Sequence, residues 1–212
     1  MNRRDALQQL GAIALLACPA GFALGQAQGG FQALKPEVSP MSPDAEGKIE
    51  VLEFFHYGCS HCRHFEPLVE QWAGRLPRDV AFAQVPVVWR EELNGLAHLY
   101  YTLQVKKRAD LHKAAFAAVQ DQRLRFDTPG AVRNWAQANG LDVLDFMGVY
   151  DSIGVVTQVK RAQQTGLRYK IDSVPTMAVG GRFLTSATLA GSHEAALKVA
   201  DSLIERVRVR KE

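Results

Sequence analysis

Cysteine is scarce in this sequence, and the scarcity excludes one common class of site. Only three cysteines occur among the 212 residues, at Cys18, Cys59 and Cys62. A structural zinc site needs four ligands, and we expect Cys18 to be removed with an N-terminal signal. The histidines close to the remaining pair face different ways around a turn, so the sequence predicts no metal site.

Long basic runs and long apolar runs are also absent. The formal net charge is only +3 at pH 7, and no cluster of lysine and arginine is of the kind that binds nucleic acid. The apolar stretch from about Leu10 to Cys18 is too short to cross a bilayer as an anchor. These features exclude a nucleic-acid-binding protein and argue against a membrane anchor.

The N-terminal segment has the pattern of a secretory signal peptide. Arg3 and Arg4 precede the short apolar stretch, and Ala23-Leu24-Gly25 provides small residues for cleavage. The sequence therefore predicts a signal over residues 1–25. Two alternatives fit less well and stay open: a lipoprotein box that ends at Cys18, and a twin-arginine signal.

The two remaining cysteines follow a predicted buried strand. Val51–Phe55 is an apolar run interrupted by Glu53, as expected for a strand that is covered on both faces. Tyr57-Gly58 breaks the strand, and from Cys59 onward the apolar residues recur with helical spacing. They are Cys62, Phe65, Val69 and Trp72. Both cysteines therefore lie in the first turn of a predicted helix, with Cys59 the exposed partner.

This position predicts reactive chemistry for the cysteine pair. The N–H groups and the positive dipole end of a helix N-terminus stabilise a thiolate, and His61 can add a hydrogen bond or a positive charge. A disulfide between residues three apart gains little stability from loop closure. In a secreted chain, such a bond is better explained as catalytic than as structural.

The rest of the chain alternates between strand and helix signals. Phe31–Leu34 is a possible edge strand, and Val80–Trp89 is an apolar strand that we expect to pair with Val51–Phe55. Amphipathic helices follow between about Gly95 and Gln164. A hairpin with a Gly180-Gly181 turn and a final helix capped by Ser192 complete the chain.

Several of these motifs together resemble the DsbA-type periplasmic thiol:disulfide oxidoreductases of the thioredoxin superfamily. The residues that carry the resemblance are Glu53-Phe54-Phe55, the cysteine pair with His61 before Cys62, Phe65-Glu66, and Val174-Pro175. The resemblance implies an α/β fold of the thioredoxin type with an inserted all-helical domain. Its first segment would cover residues 26–94, the insertion 95–165, and the second segment 166–212.

The resemblance also implies a function and a set of site residues. The protein would donate its Cys59–Cys62 disulfide to newly secreted proteins with free thiols, act as a monomer in the periplasm, and need no cofactor. A membrane quinone reductase resembling DsbB would reoxidise it. Pro175 would be cis and face the cysteines, and Val174, Pro175 and His61 would contact substrate.

Two departures from the family pattern limit what can be carried over. Ser60 stands where the family usually has proline, so the redox potential does not transfer. Gln84 aligns with a lysine that accompanies the acid corresponding to Glu53. Burial should raise the pKa of Glu53, which makes this residue a candidate proton acceptor for Cys62, although a hydrogen-bonded structural carboxyl is the alternative.

Two other functions stay open at this point. One is a reductase or isomerase that a different membrane partner keeps reduced, although the sequence shows no additional dimerisation domain of the kind found in periplasmic isomerases. The other is a non-catalytic chaperone or metal-binding module that uses His56, His61 and His64.

Overall fold

The computed structural model describes residues 29–40 and 45–209. The predicted signal, its cleavage site and Cys18 lie outside these residues. The described part forms five strands, β1 (Phe31–Ala33), β2 (Ile49–Phe55), β3 (Val80–Pro86), β4 (Thr176–Val179) and β5 (Phe183–Thr185). It also forms eight α-helices, α1 (Ser60–Ala73), α2 (Asn94–Val105), α3 (His112–Gln120), α4 (Pro129–Ala138), α5 (Val143–Tyr150), α6 (Ile153–Arg168), α7 (Ala187–Ala190) and α8 (His193–Val209). Over these residues, no helix combines the length and the apolar character needed to span a bilayer.

The strands form one mixed sheet in the order β1-β5-β4-β2-β3. The strand β2 is buried along its whole length, and it runs parallel to β3 and antiparallel to β4. The predicted pairing of β2 with β3 and the predicted edge position of β1 are thus confirmed. β3 is shorter than predicted, because the chain leaves the sheet after Pro86, and the indole N–H of Trp89 donates instead to the carbonyl of Ile171.

Helices cover both faces of the sheet. Residues of α1 and α8, among them Val69 and Leu203, pack on the face that carries Val51 of β2. Residues from the end of α6 and the segment after it pack on the opposite face, around Leu52 and Phe54. Alternation of side chains along β2 places Glu53 on the same face as Val51, which is the face covered by α1.

The helices α2–α6 lie between β3 and β4 in the chain, as predicted. Their apolar side chains share a core with the end of β2 and the turn after it: Phe55, Tyr57 and Cys62 pack with residues such as Phe116 and Phe146. Thr128 caps α4 through a hydrogen bond from Ala131 N, and Pro129 is the first residue of the helix. The limits 95–165 for a separate domain stay a prediction, close to the observed helix bounds.

The C-terminal elements agree with the sequence prediction. Gly180 and Gly181 have φ angles of 59° and 68°, which suits the tight turn between β4 and β5. The hydroxyl of Ser192 accepts a hydrogen bond from Ala195 N at 3.0 Å, so it caps α8 as expected. The Val174–Pro175 peptide bond is cis, as the resemblance implied.

Candidate active site

Cys59 is the N-cap residue of α1, and its position follows from a tightly bonded turn. The His56 ring accepts a hydrogen bond from Gly58 N at 3.0 Å, and the His56 carbonyl accepts one from Cys59 N at 2.9 Å. Cys59 itself has an extended backbone, and its sulfur accepts a hydrogen bond from Cys62 N at 3.4 Å. The sulfur therefore occupies the place that a serine or threonine oxygen takes at an ordinary helix start.

The surroundings of the two thiols differ sharply. The pKa of Cys59 is lowered to about 6, mainly by the hydrogen bond from the Cys62 side chain and further by N–H groups of the first turn and the charge of His61. Cys62 is completely buried, and its pKa is raised because it donates that hydrogen bond and because it is desolvated. Cys59 is only partly buried. One sulfur is therefore an accessible thiolate, and the other is a protected thiol.

The loop before β4 closes over the first sulfur. Cys59 Sγ lies 3.4 Å from the carbonyl oxygen of Val174, across 115 residues of sequence. Val174 is partly exposed, whereas Pro175 is buried. The structure therefore brings Val174 and the adjoining Pro175 to the cysteine pair, the position that the family resemblance implied for them.

His61 lies on the surface beside the pair. Its side chain is exposed, and its ring centroid is 6.2 Å from that of His193 at the start of α8. The His193 ring in turn packs against Phe65 at 5.0 Å. The exposed His61 can approach a bound substrate, and a positive charge on its ring would favour the Cys59 thiolate.

Glu53 lies in the dry interior beneath the cysteines. It is fully buried, and its Oε2 accepts a hydrogen bond from Gln84 Nε2 at 2.8 Å, as the alignment of the two residues predicted. Oε1 has no partner. The pKa of Glu53 is raised to about 8 by burial and by the nearby charge of Glu66, and the Gln84 bond only partly offsets this. Glu53 is therefore protonated at neutral pH.

Three further polar residues lie near the site, and the sequence analysis assigned a role to none of them. Glu66 accepts a second hydrogen bond from Gln84 Nε2 at 2.7 Å, and His112 of α3 contacts Tyr57. Gln120, at the end of α3, donates to the carbonyls of Tyr57 at 2.7 Å and Cys59 at 3.1 Å. Glu66 lies on the buried stripe of α1, which was a usable signal. Nothing local distinguishes His112 or Gln120, since only the fold brings α3 to the turn.

The three histidines that could have formed a metal site are not brought together. His56 is partly buried and packs against Trp89, with ring centroids 5.9 Å apart, whereas His61 and His64 are exposed. Within residues 29–40 and 45–209, no group of three histidine, cysteine or acidic side chains is arranged to hold a metal ion. The geometry gives no support to the metal-binding alternative.

Comparison with known proteins identifies the family. The profile of the DSBA-like thioredoxin domain matches residues 90–197. The thiol:disulfide interchange protein DsbA of Bordetella parapertussis is 46% identical over 200 residues, which cover 94% of this chain and 95% of the relative. The DsbA of Pseudomonas aeruginosa is 33% identical, over 92% of this chain and 94% of its own. The chain belongs to the DsbA family.

Solved structures of the family have the same architecture. The crystal structure of Pseudomonas aeruginosa DsbA superimposes with a TM-score of 0.80 at 32% identity, covering 87% of this chain and 95% of that one. The oxidoreductase NmDsbA1 of Neisseria meningitidis gives 0.76 at 26% identity, covering 91% and 97%. The fold is thus the thioredoxin-like α/β fold with a helical insertion, and this DsbA-family protein is a thiol:disulfide oxidoreductase.

Proposed function

We propose that this protein acts in the oxidising direction and transfers the Cys59–Cys62 disulfide to dithiols of newly secreted proteins. The observation that carries the proposal is the contrast between the two sulfurs. The pKa of Cys59 is about 6, whereas that of the buried Cys62 is raised. A sulfur with a low pKa is a good leaving group, so the reduced enzyme is favoured over a mixed disulfide at Cys59.

The reaction runs in two exchanges. A substrate thiolate attacks Cys59 Sγ of the oxidised pair, the Cys59–Cys62 bond breaks, and Cys62 leaves as a thiolate that takes up a proton. A second substrate thiolate then attacks the substrate sulfur of the mixed disulfide, and Cys59 leaves as a stable thiolate. The substrate has lost two electrons and gained a disulfide, and the enzyme holds both electrons as reduced Cys59 and Cys62.

Glu53 is suited to exchange the proton of Cys62. A negative charge on Glu53 would raise the pKa of Cys62 further, so the ionisation of one group opposes that of the other. Because its own pKa is about 8, Glu53 holds a proton at neutral pH and can donate it to the departing Cys62 thiolate. The role of acceptor, which the sequence suggested, then belongs to the reverse step, when the enzyme is reoxidised.

The surface around Cys59 is proposed as the substrate site. Val174 presents its carbonyl to the sulfur, Pro175 has no N–H with which to compete for substrate backbone, and His61 is exposed in the first turn of α1. Partners would be unfolded secreted proteins with free thiols, and a DsbB-like membrane quinone reductase would restore the disulfide. The relatives are named thiol:disulfide interchange proteins, and we propose a periplasmic monomer for this chain.

The direction of transfer is tested by mixing the purified oxidised protein with a reduced dithiol peptide. We expect rapid formation of the peptide disulfide and reduction of the enzyme, with no reaction for Cys59→Ser. The Cys62→Ser variant is the matched control, because it keeps Cys59 but lacks the partner sulfur. It can form a mixed disulfide with another thiol, but it has no internal disulfide to transfer. A cysteine pair that is mainly reduced in periplasmic extracts of the producing cells would contradict the proposal and favour a reductase or isomerase.

A further inference from the structure

Two buried carboxyl groups share a single amide beneath the cysteine pair. Gln84 Nε2 lies 2.8 Å from Glu53 Oε2 and 2.7 Å from Glu66 Oε2, so each of its two hydrogens is directed to one carboxyl group. Glu53 is 0% exposed and Glu66 is 8% exposed. Two ionised carboxylates side by side in such a site would be costly, and one of them should keep a proton.

The neighbour that distinguishes the two acids comes from the helical insertion. His112 of α3 is buried, with Nδ1 2.8 Å from the hydroxyl oxygen of Tyr57 and Nε2 3.3 Å from Glu66 Oε2. The second distance is within ion-pair range, although the groups are not aligned for a hydrogen bond, and Nε2 has no other partner. His112 therefore faces Glu66 and not Glu53.

The tautomer of His112 follows from Tyr57. Burial raises the pKa of the Tyr57 hydroxyl well above its ordinary value, so the O–H is retained. The Tyr57 hydroxyl has Nδ1 of His112 as its hydrogen-bond partner. Because the hydroxyl donates its hydrogen to Nδ1, the hydrogen of the neutral ring lies on Nε2. The Nε2–H of His112 then lies on the side of Glu66, within ion-pair range of its carboxyl group.

The neighbours of each carboxyl group indicate which of the two carries the negative charge. Glu66 accepts a hydrogen bond from Gln84 and also lies within ion-pair range of His112 Nε2, whereas Glu53 accepts one hydrogen bond and leaves Oε1 without a partner. The carboxylate that has more N–H groups close to it is the more stable anion. We propose that His112 is a positioning residue that keeps the negative charge on Glu66 and thereby leaves the shared proton on Glu53, below the cysteines.

The other charged groups near His112 do not supply this distinction. Glu66, Gln84 and His112 line a cleft of about 680 Å³, together with Glu70, Tyr100, Tyr101 and Arg161. Glu70 is paired with Lys113 at 2.7 Å, and burial raises the pKa of Tyr100 and Tyr101, so both stay neutral. Arg161 is exposed.

The location of the proton can be observed by infrared spectroscopy of the purified protein in D₂O. In the wild type at pH 7 we expect a protonated-carboxyl C=O band that disappears as the pH rises through about 8 and is absent from Glu53→Gln. Difference spectra remove contributions from other buried acids such as Glu50. In the double variant His112→Phe/Glu53→Gln, a band should return, and adding Glu66→Gln should remove it.

A matched control and a rescue variant separate this effect from a loss of packing. His98→Phe removes another imidazole, whose ring packs against Tyr150 at 5.0 Å, and it should leave the band dependent on Glu53. His112→Gln keeps a side-chain N–H and should behave as the wild type. If His112→Phe does not fold, His112→Leu serves the same purpose, since it also removes both ring nitrogens.

Two results would overturn the inference. One is a wild-type band that depends on Glu66 and not on Glu53, and the other is the absence of any band in His112→Phe/Glu53→Gln. The consequence for exchange, that a neutral Glu53 supplies the proton of Cys62, rests on the proposed function. The infrared assignment does not, so a protein that keeps its proton on Glu53 yet fails to oxidise dithiols would contradict only the proposed function.

Discussion

The two cysteines show how three residues of separation produce opposite chemical properties. Cys59 caps the helix and accepts hydrogen bonds from the first turn, whereas Cys62 lies one turn deeper, where no water reaches it. Burial alone would raise the pKa of both thiols, and for Cys59 the hydrogen bonds outweigh it. The reactive sulfur is thus defined by where the helix begins, which the sequence pattern after Gly58 already indicated.

This contrast predicts selective alkylation of the reduced protein. Because the pKa of Cys59 is about 6, its reaction with iodoacetamide should rise with pH through a midpoint near that value, while Cys62 stays unlabelled in the folded state. Peptide mapping after brief treatment at mildly acidic pH measures this. Labelling of both cysteines in urea is the control, and a folded protein labelled first at Cys62 would reverse the assigned roles.

At the scale of elements, helix α3 links the insertion to the active-site turn. Besides the bonds from Gln120 and His112, Arg63 of α1 forms a bidentate ion pair with Asp121 just after α3, at 2.6 and 2.8 Å. These contacts fix α3 along α1. They also show the limit of sequence analysis, because each residue of α3 reads locally as an ordinary member of an amphipathic helix.

The strands and helices also differ in how clearly the sequence predicts them. Strands β2 and β4, helix α1 and the Gly180-Gly181 turn follow from local patterns of apolar residues and glycine. Helix α5 has only a weak sequence signal, because its apolar residues do not form a clean stripe: Leu144 is 87% exposed beside the buried Phe146. Helix α7 has only four residues, too few for a periodic signal. Contacts made across the fold, such as those of His112, have no local signal.

Removal of the Gln120 side chain should loosen the active-site turn. Gln120→Ala removes the amide donor of the Tyr57 carbonyl, whereas the Cys59 carbonyl keeps a hydrogen bond from Arg63 N. A buried polar group that loses its partner costs about 1–3 kcal/mol. Urea unfolding at pH 7 measures the change. Gln163→Ala is the matched control, since it removes one bond to Asn94 on a partly buried surface. Equal losses for both variants would mean that Gln120 does not support the turn.

At the scale of the whole molecule, the Cys59 thiolate adds a pH-dependent contribution to the stability of the reduced form. The oxidised form lacks this contribution. The depressed pKa of Cys59 contributes stability that is complete above the unfolded value of about 8.5 and is lost as pH falls through about 6. Below pH 8.5, Cys62 adds nothing, because it is neutral both in the folded and in the unfolded protein. The disulfide replaces this contribution with a loop restraint that does not depend on pH.

The difference in stability between the reduced and oxidised forms should therefore change with pH. Between pH 5 and pH 7, we expect it to shift by roughly 1 kcal/mol in favour of the reduced form, after allowance for solvent screening of the half-exposed sulfur. Groups such as Glu53 titrate in both forms, so much of their effect cancels in the difference.

Urea unfolding of both forms at the two pH values measures the shift. A Cys59→Ala/Cys62→Ala variant compared with the oxidised form should show little of it. A difference that stayed constant with pH would mean that Cys59 is not a stabilised thiolate in the folded protein, and the proposed preference for oxidation would lose its physical basis.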